Sequence, residues 1–256
     1  MSQRRKPIAA GNWKMNLLRR EAEDLCHGLC AGIESAMAAE VVLFPSATLI
    51  STVAATIRGS AIALGGQDIH PQASGAHTGD VSGPQLADVG CGWVLCGHSE
   101  RRQNHGESDA LVGRKARAAT DHGLLPMICL GESRDERRAG QTFDVLRRQL
   151  AAALAEKPPA FEIAYEPVWA IGTGEVATPE IAQEAHAFLR GELARQVGAE
   201  RATSTRILYG GSANPGNVAD LIAQKDIDGF LVGGASLDSG KFLDIIGVCA
   251  GSRPAS

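Results

Sequence analysis

The sequence predicts an α/β protein built as a single (β/α)8 barrel over residues 1–256. Three observations predict it. Short runs that are apolar on nearly every residue recur along the chain, as strands covered on both faces require. A longer amphipathic stretch follows each run, and a chain of 256 residues then allots about 32 to each of eight units, the usual size for this architecture. The least ordinary residues fall just after the apolar runs, where barrels keep their chemistry.

Taken in order, the strand candidates are Pro7–Gly11, Val41–Pro45, Ala61–Gly65, Trp93–Gly97, Pro126–Leu130, Phe161–Tyr165, Arg206–Gly210 and Gly229–Gly233. Between them, Leu18, Ala22, Leu25, Cys26, Leu29 and Ile33 repeat at helical spacing, as do Leu49, Ile50, Val53, Ala54 and Ile57, and then Ile181, Ala185, Phe188 and Leu189. Thr178-Pro179 and Asn214-Pro215 each place a capping side chain before a proline, which predicts a helix start at both. Start-to-start spacings of 20 to 45 residues exclude a short-period array. No linker or low-complexity segment divides the chain. A doubly wound open sheet has the same alternation and is the structural rival.

Composition narrows the function. A net charge of −4 argues against a nucleic-acid-binding stripe. No apolar run is long enough to span a membrane, and the apolar stretch after the basic residues 1–6 is too short for a secretory signal. Six cysteines in 256 residues do not make a disulfide framework. A soluble, cytoplasmic protein is expected.

Several strand ends carry candidate chemistry. Lys14 follows the first strand, where it offers either fixed positive charge to an anionic substrate or an ordinary solvated amine. His98 follows the fourth, as an acid, base or donor in the mouth or as a core histidine. Glu166 precedes Pro167, so its backbone stays extended and continues the sixth strand; it is a general base or half of a structural ion pair. Gly210-Gly211-Ser212 and Gly233-Gly234 close the seventh and eighth strands, where barrels often bind phosphate through backbone N–H groups. The apolar, glycine-containing stretch Val168–Gly174 reads as a lid that excludes water. Its Gly172-x-Gly174-x-x-Ala177 is a chance match to a dinucleotide fingerprint, because the next helix starts only at Thr178-Pro179. His70, His77 and Asp80 share a long loop, and Cys91, Cys96 and His98 lack a second ligand pair, so no metal is assigned.

Gly11-Asn12-Trp13-Lys14-Met15-Asn16, Gly97-His98-Ser99-Glu100-Arg101-Arg102, Ala164–Gly174, Tyr209-Gly210-Gly211-Ser212 and Gly233-Gly234-Ala235-Ser236-Leu237, in this order and spacing, resemble the triosephosphate isomerase family across nearly the whole chain. The resemblance implies interconversion of dihydroxyacetone phosphate and D-glyceraldehyde 3-phosphate without metal or organic cofactor. It makes Glu166 the base and His98 the electrophile; the family is the standard case of that pairing. By the same resemblance Lys14 holds negative charge, Asn12 contacts substrate oxygens, and Gly172, Ser212, Gly233 and Gly234 hold the phosphate. It also implies a homodimer in which Thr78, in the long Gly65–Ser82 segment, reaches the partner's active site near Asn12 and Lys14. Glu175 stands where a lysine is common in the family, and Asp80 where many members have glutamate. Three alternatives are an isomerase of a four-carbon ketose phosphate, a Schiff-base aldolase and a non-catalytic phosphate-binding barrel. The retained Asn12-Trp13-Lys14 argues for the triose, Glu166 in place of a sixth-strand lysine argues against the aldolase, and Lys14, His98 and Glu166 together argue against mere binding.

Overall fold

The computed structural model describes residues 5–33, 38–170 and 177–251. Its strands are β1 (Ile8–Asn12), β2 (Glu40–Phe44), β3 (Ile62–Gly66), β4 (Trp93–Cys96), β5 (Leu125–Leu130), β6 (Glu162–Tyr165), β7 (Ile207–Tyr209) and β8 (Gly229–Val232). All pair in parallel and in sequence order, and β8 returns to β1 with Gly229 opposite Ile8. The sheet is therefore a closed eight-stranded barrel with no edge, not the open rival.

Alternation along each strand builds two cores. Ile8, Ala10, Val42, Phe44, Leu95, Met127, Cys129, Ala164, Leu208 and Leu231 form one buried cluster inside the barrel. The residues between them, such as Ala9, Leu43, Val94, Ile128, Ile163, Ile207 and Phe230, pack outward against the helices. Because both faces are covered, the strands read as continuous apolar runs. Helix Arg19–Gly32 buries Ala22, Leu25, Cys26 and Leu29, the stripe expected from its spacing.

Helix Pro179–Val197 starts as predicted, with Thr178 Oγ1 accepting the Ile181 N–H. The Asn214-Pro215 start is corrected: the helix there is Val218–Ile222, and Asn217 precedes it. Asn214 Oδ1 instead accepts the Gly216 N–H at 2.9 Å. This is the local turn that asparagine forms in competition with a cap.

Opposite the mouth, the barrel is sealed by ion pairs. Arg206 bonds Glu40 at 2.5 Å and Glu162 at 2.9 Å, tying β2, β6 and the start of β7. Asp228, with a fully buried side chain, meets Arg5 at 2.7 Å and Arg190 at 2.6 Å and accepts the Ile207 N–H at 3.0 Å. Removing one partner of a buried pair leaves uncompensated charge, which costs about 3–5 kcal/mol. Asp228→Ala should therefore lose about that much stability, with a thermal midpoint lower by roughly 2–4 °C per kcal/mol in a chain of this size. Calorimetry of both proteins is the check; a loss under about 1 kcal/mol, the range of an exposed pair, would show that the buried pair is dispensable.

Candidate active site

The alternation that fills the barrel also furnishes its mouth. Two residues beyond an inward-facing side chain, the next inward position lies at the strand end. Asn12 follows Ala10 in this way, Gly131 follows Cys129, Glu166 follows Ala164, Gly210 follows Leu208 and Gly233 follows Leu231. Asn12, Lys14, His98, Glu166, Ser212, Gly233 and Gly234 line one cavity of about 340 Å³, together with Gly210, Gly211, Ala213, Asn214, Leu231 and Ala235. Among the sequence-predicted site residues, Gly172 lies outside the described residues, as does Glu175.

Lys14 is held by a strained but well-bonded turn. Its φ is +51°, a left-handed conformation that disfavours side chains other than glycine. Three contacts hold this turn: Asn12 Oδ1 accepts the Lys14 N–H at 3.0 Å, Gln67 Nε2 donates to Lys14 O at 2.8 Å, and Asn16 Nδ2 donates to Trp13 O at 2.7 Å. The side chain reaches Glu100 at 2.6 Å, and its stem lies within 3.6 Å of where a Cβ on Gly233 would stand.

His98 and Glu166 meet inside the mouth, 6% and 2% exposed. His98 Nε2 is 2.9 Å from Glu166 Oε1, and Glu166 Oε2 accepts the Ser99 N–H at 2.8 Å. Gly97, at φ +72°, turns the chain as β4 ends, so that His98 becomes the cap of helix Ser99–His105. His98 Nδ1 accepts the Glu100 N–H at 3.2 Å. An accepting Nδ1 leaves the ring to present an Nε2–H toward Glu166. Burial opposes ionisation of Glu166, but His98, the Ser99 N–H and Lys14 outweigh it and hold the carboxyl below its ordinary pKa. Burial likewise opposes charge on His98, while Glu166, with Glu100 behind it, lifts the ring above its ordinary value. That lift lasts only while the carboxylate faces the ring.

Glu166 sits between two glycines that no larger residue can replace at this spacing. A Cβ on Gly131 would stand 1.7 Å from Glu166 O, and one on Gly210 would stand 2.9 Å from Glu166 Cγ. Across the cavity, Gly233 leads into the short 3₁₀ turn Gly234–Leu237. Its leading backbone N–H groups, with Gly210-Gly211-Ser212 beside them, form an amide-rich rim suited to an oxyanion.

Sequence reading missed the residues that support these groups. Gln67 and Glu100 hold Lys14, and Glu132, fully buried, accepts the Trp169 Nε1–H at 2.8 Å and the Tyr165 hydroxyl at 3.2 Å. The structure does bring His70, His77 and Asp80 together, with ligand atoms within 4.8 Å of one another. The two rings are stacked, with centroids 3.8 Å apart, and His70 Nδ1 already accepts the Gln72 N–H. Stacked rings point their lone pairs side by side rather than at a shared ion, so the cluster packs the loop. Thr78 is exposed on that same loop, and Met15 and Leu18 stand 93% and 76% exposed beside the mouth.

The coupling between His98 and Glu166 is open to direct measurement. Glu166→Gln removes the charge that lifts the ring and leaves burial in place, so the His98 pKa should fall relative to the unsubstituted protein. Imidazole nitrogen shifts followed through about pH 5 to 8, the range where histidine titrates, report it. An unchanged or higher value would show that Glu166 does not govern the charge of the ring.

The triosephosphate isomerase family model matches residues 7–249. The chain is 51% identical to the triosephosphate isomerase of Chloroflexus aurantiacus, over 94% of this chain and 98% of that protein. It is 50% identical to that of Acidithiobacillus ferrooxidans, over 94% and 95% of the two chains, and 48% identical to that of Ruegeria pomeroyi, over 94% and 96%. With the closed barrel and the clustered strand ends, a match of this extent means that the chain belongs to the triosephosphate isomerase family.

Proposed function

We propose that the chain interconverts dihydroxyacetone phosphate and D-glyceraldehyde 3-phosphate by moving one proton between adjacent carbons through an enediolate. The observation that carries this reading is the pairing of Glu166 with His98 in one buried mouth, facing an amide-rich rim. Glu166 takes the proton from one carbon and returns it to the next. His98, freed when the carboxylate turns to the substrate, gives its Nε2–H to the carbonyl oxygen as charge develops there. Its accepting Nδ1 leaves the Nε2–H to make that bond. Lys14 supplies fixed positive charge and Asn12 a polar contact. Ser212, Gly233 and Gly234 take the phosphate, with Gly172 as a further contact on the family resemblance. The proton count balances within the substrate, so the reaction needs no redox partner, and the reading assigns neither metal nor organic cofactor.

The finer choices follow from the same residues. The retained Asn12, Trp13 and Lys14 favour a triose over a tetrose phosphate. Exposed Met15 and Leu18 beside the mouth, with Thr78 projecting on its loop, favour a homodimer, since large apolar side chains left in water signal an interface. No helix among the described residues is long and apolar enough to cross a membrane. All six cysteines are thiols, which suits the reducing cytoplasm.

A coupled assay on triose and tetrose phosphates tests the reading. Turnover should be confined largely to the triose, and preference for the tetrose would overturn it. Glu166→Gln keeps the shape but cannot accept the proton. Its turnover should fall by on the order of 10²–10⁴-fold or more, with phosphate-ligand affinity changed far less. Near-normal turnover would remove Glu166 from the proton path. Thr78→Arg puts charge and bulk into the expected interface and should yield monomers by sedimentation, with reduced activity. Full activity in a demonstrated monomer would refute the shared site.

A further inference from the structure

β5 and β6 remain in close contact just past their ends. Glu166 donates its N–H to Leu130 O at 2.7 Å, and the next residue, Gly131, lies against the Glu166 carbonyl so tightly that a Cβ there would be 2.7 Å from its carbon. The backbone of Glu166 thus rests on that of Gly131. β5 ends at Leu130, and Gly131 has left the strand ladder. A single side chain serves both of its backbone groups: Gln149 Oε1 accepts the Gly131 N–H at 2.8 Å, and Gln149 Nε2 donates to Gly131 O at 3.1 Å. Gln149 lies on helix Thr142–Leu154, 5% exposed, among the buried Val145, Leu146, Leu150 and Ala153 of the same face. A leucine would suit that apolar face. A carboxamide offers a donor and an acceptor side by side without charge at every pH near neutral, which a carboxyl does only while protonated.

We propose that Gln149 is a positioning residue for the isomerisation: its amide clamps Gly131 and so sets where β6 delivers the Glu166 carboxylate. The inference rests on Glu166 being the base. A misplacement of the reacting groups by 1 Å costs on the order of 10²-fold in rate, so a support one residue removed from direct contact with the base matters. The clamp bears on β5 and β6, whereas the phosphate rim is built on the ends of β7 and β8. Its loss should therefore appear in turnover and not in binding.

Three variants test this, each with its thermal midpoint recorded. Gln149→Leu should lower kcat about tenfold or more, with KM and inhibition by inorganic phosphate changed less than about twofold. In Gln149→Glu the protonated acid can still donate to Gly131 O and accept its N–H, whereas the carboxylate cannot donate. That variant should work near normally at low pH and lose kcat as its carboxyl ionises. Burial places this limb above the ordinary carboxylate range, and the unsubstituted protein should lack it. Because both arms of the limb come from one protein, the test survives even if Gln149→Leu folds poorly. In a Glu166→Asp background, where the base is already displaced, Gln149→Leu should add little. An unchanged kcat in folded Gln149→Leu, or no new limb in Gln149→Glu, would overturn the positioning role while leaving the base assignment intact. Normal turnover in Glu166→Gln would instead remove the base, and the clamp's purpose with it.

Discussion

Closure of the barrel is the constraint on which the site depends. Eight strands paired without an edge leave each residue only two directions, inward or toward the helices. Inward positions within the barrel are filled by Ile8, Phe44, Leu95, Met127 and their neighbours, so nothing polar can bind there. The next inward position on several strands opens into the mouth, and there the same direction delivers Asn12, Glu166, Gly210 and Gly233 to a shared centre. The site is an extension of core packing by one more layer, with polar and small residues in place of apolar ones.

That origin sets the electrostatics. Glu166 is a carboxylate in a nearly dry place, and burial alone would favour its neutral form. It stays charged because Ser99 and His98 donate to it and Lys14 lies near. The same bonds fix where the carboxylate rests, between the His98 ring and the Ser99 N–H. On the proposed role of Glu166 as base, substrate has to draw the carboxylate out of that position. Binding energy from the phosphate, remote from the reacting carbons, is the available source for this rearrangement. On that proposal the arrangement held by Ser99 and His98 and the reactive one compete for the same carboxylate oxygens.

Much of this was legible in the sequence, for physical reasons. Strands buried on both faces read as apolar on every residue, so all eight were found to within a residue or two. Paired glycines, and a histidine or glutamate at a strand end, each have a plain structural alternative; what singles them out together is their recurrence at strand ends along the chain. What escaped were contacts made across the chain. Gln67 meets Lys14 O across 53 residues, and nothing near either position announces it. Asn214-Pro215 misled because asparagine forms a local turn as readily as a cap. Gln149 did leave a trace: a polar residue occupies a buried position in the otherwise apolar Val145, Leu146, Leu150, Ala153 stripe. A polar group on a core-facing stripe has to bond to something, so such an interruption points to a backbone group that the regular ladder leaves unserved.

The supporting residues also explain how groups from separate strands act as a unit. Glu100 stands on the first turn of the helix that His98 caps. Its N–H meets Nδ1 of the His98 ring, and its carboxylate holds the Lys14 amine. One residue thereby couples the donor from β4 to the charge from β1, while Gln67 ties the Lys14 turn to Phe44 O at the end of β2. Lys14, His98 and Glu166 are each held by their own strand end and by a group from another segment. Two independent supports are what a precise site needs, because a loop residue anchored at its backbone alone would sample more positions than proton transfer tolerates. If the proposed roles hold, the polar residues just behind the mouth matter to the reaction through the groups they hold in place.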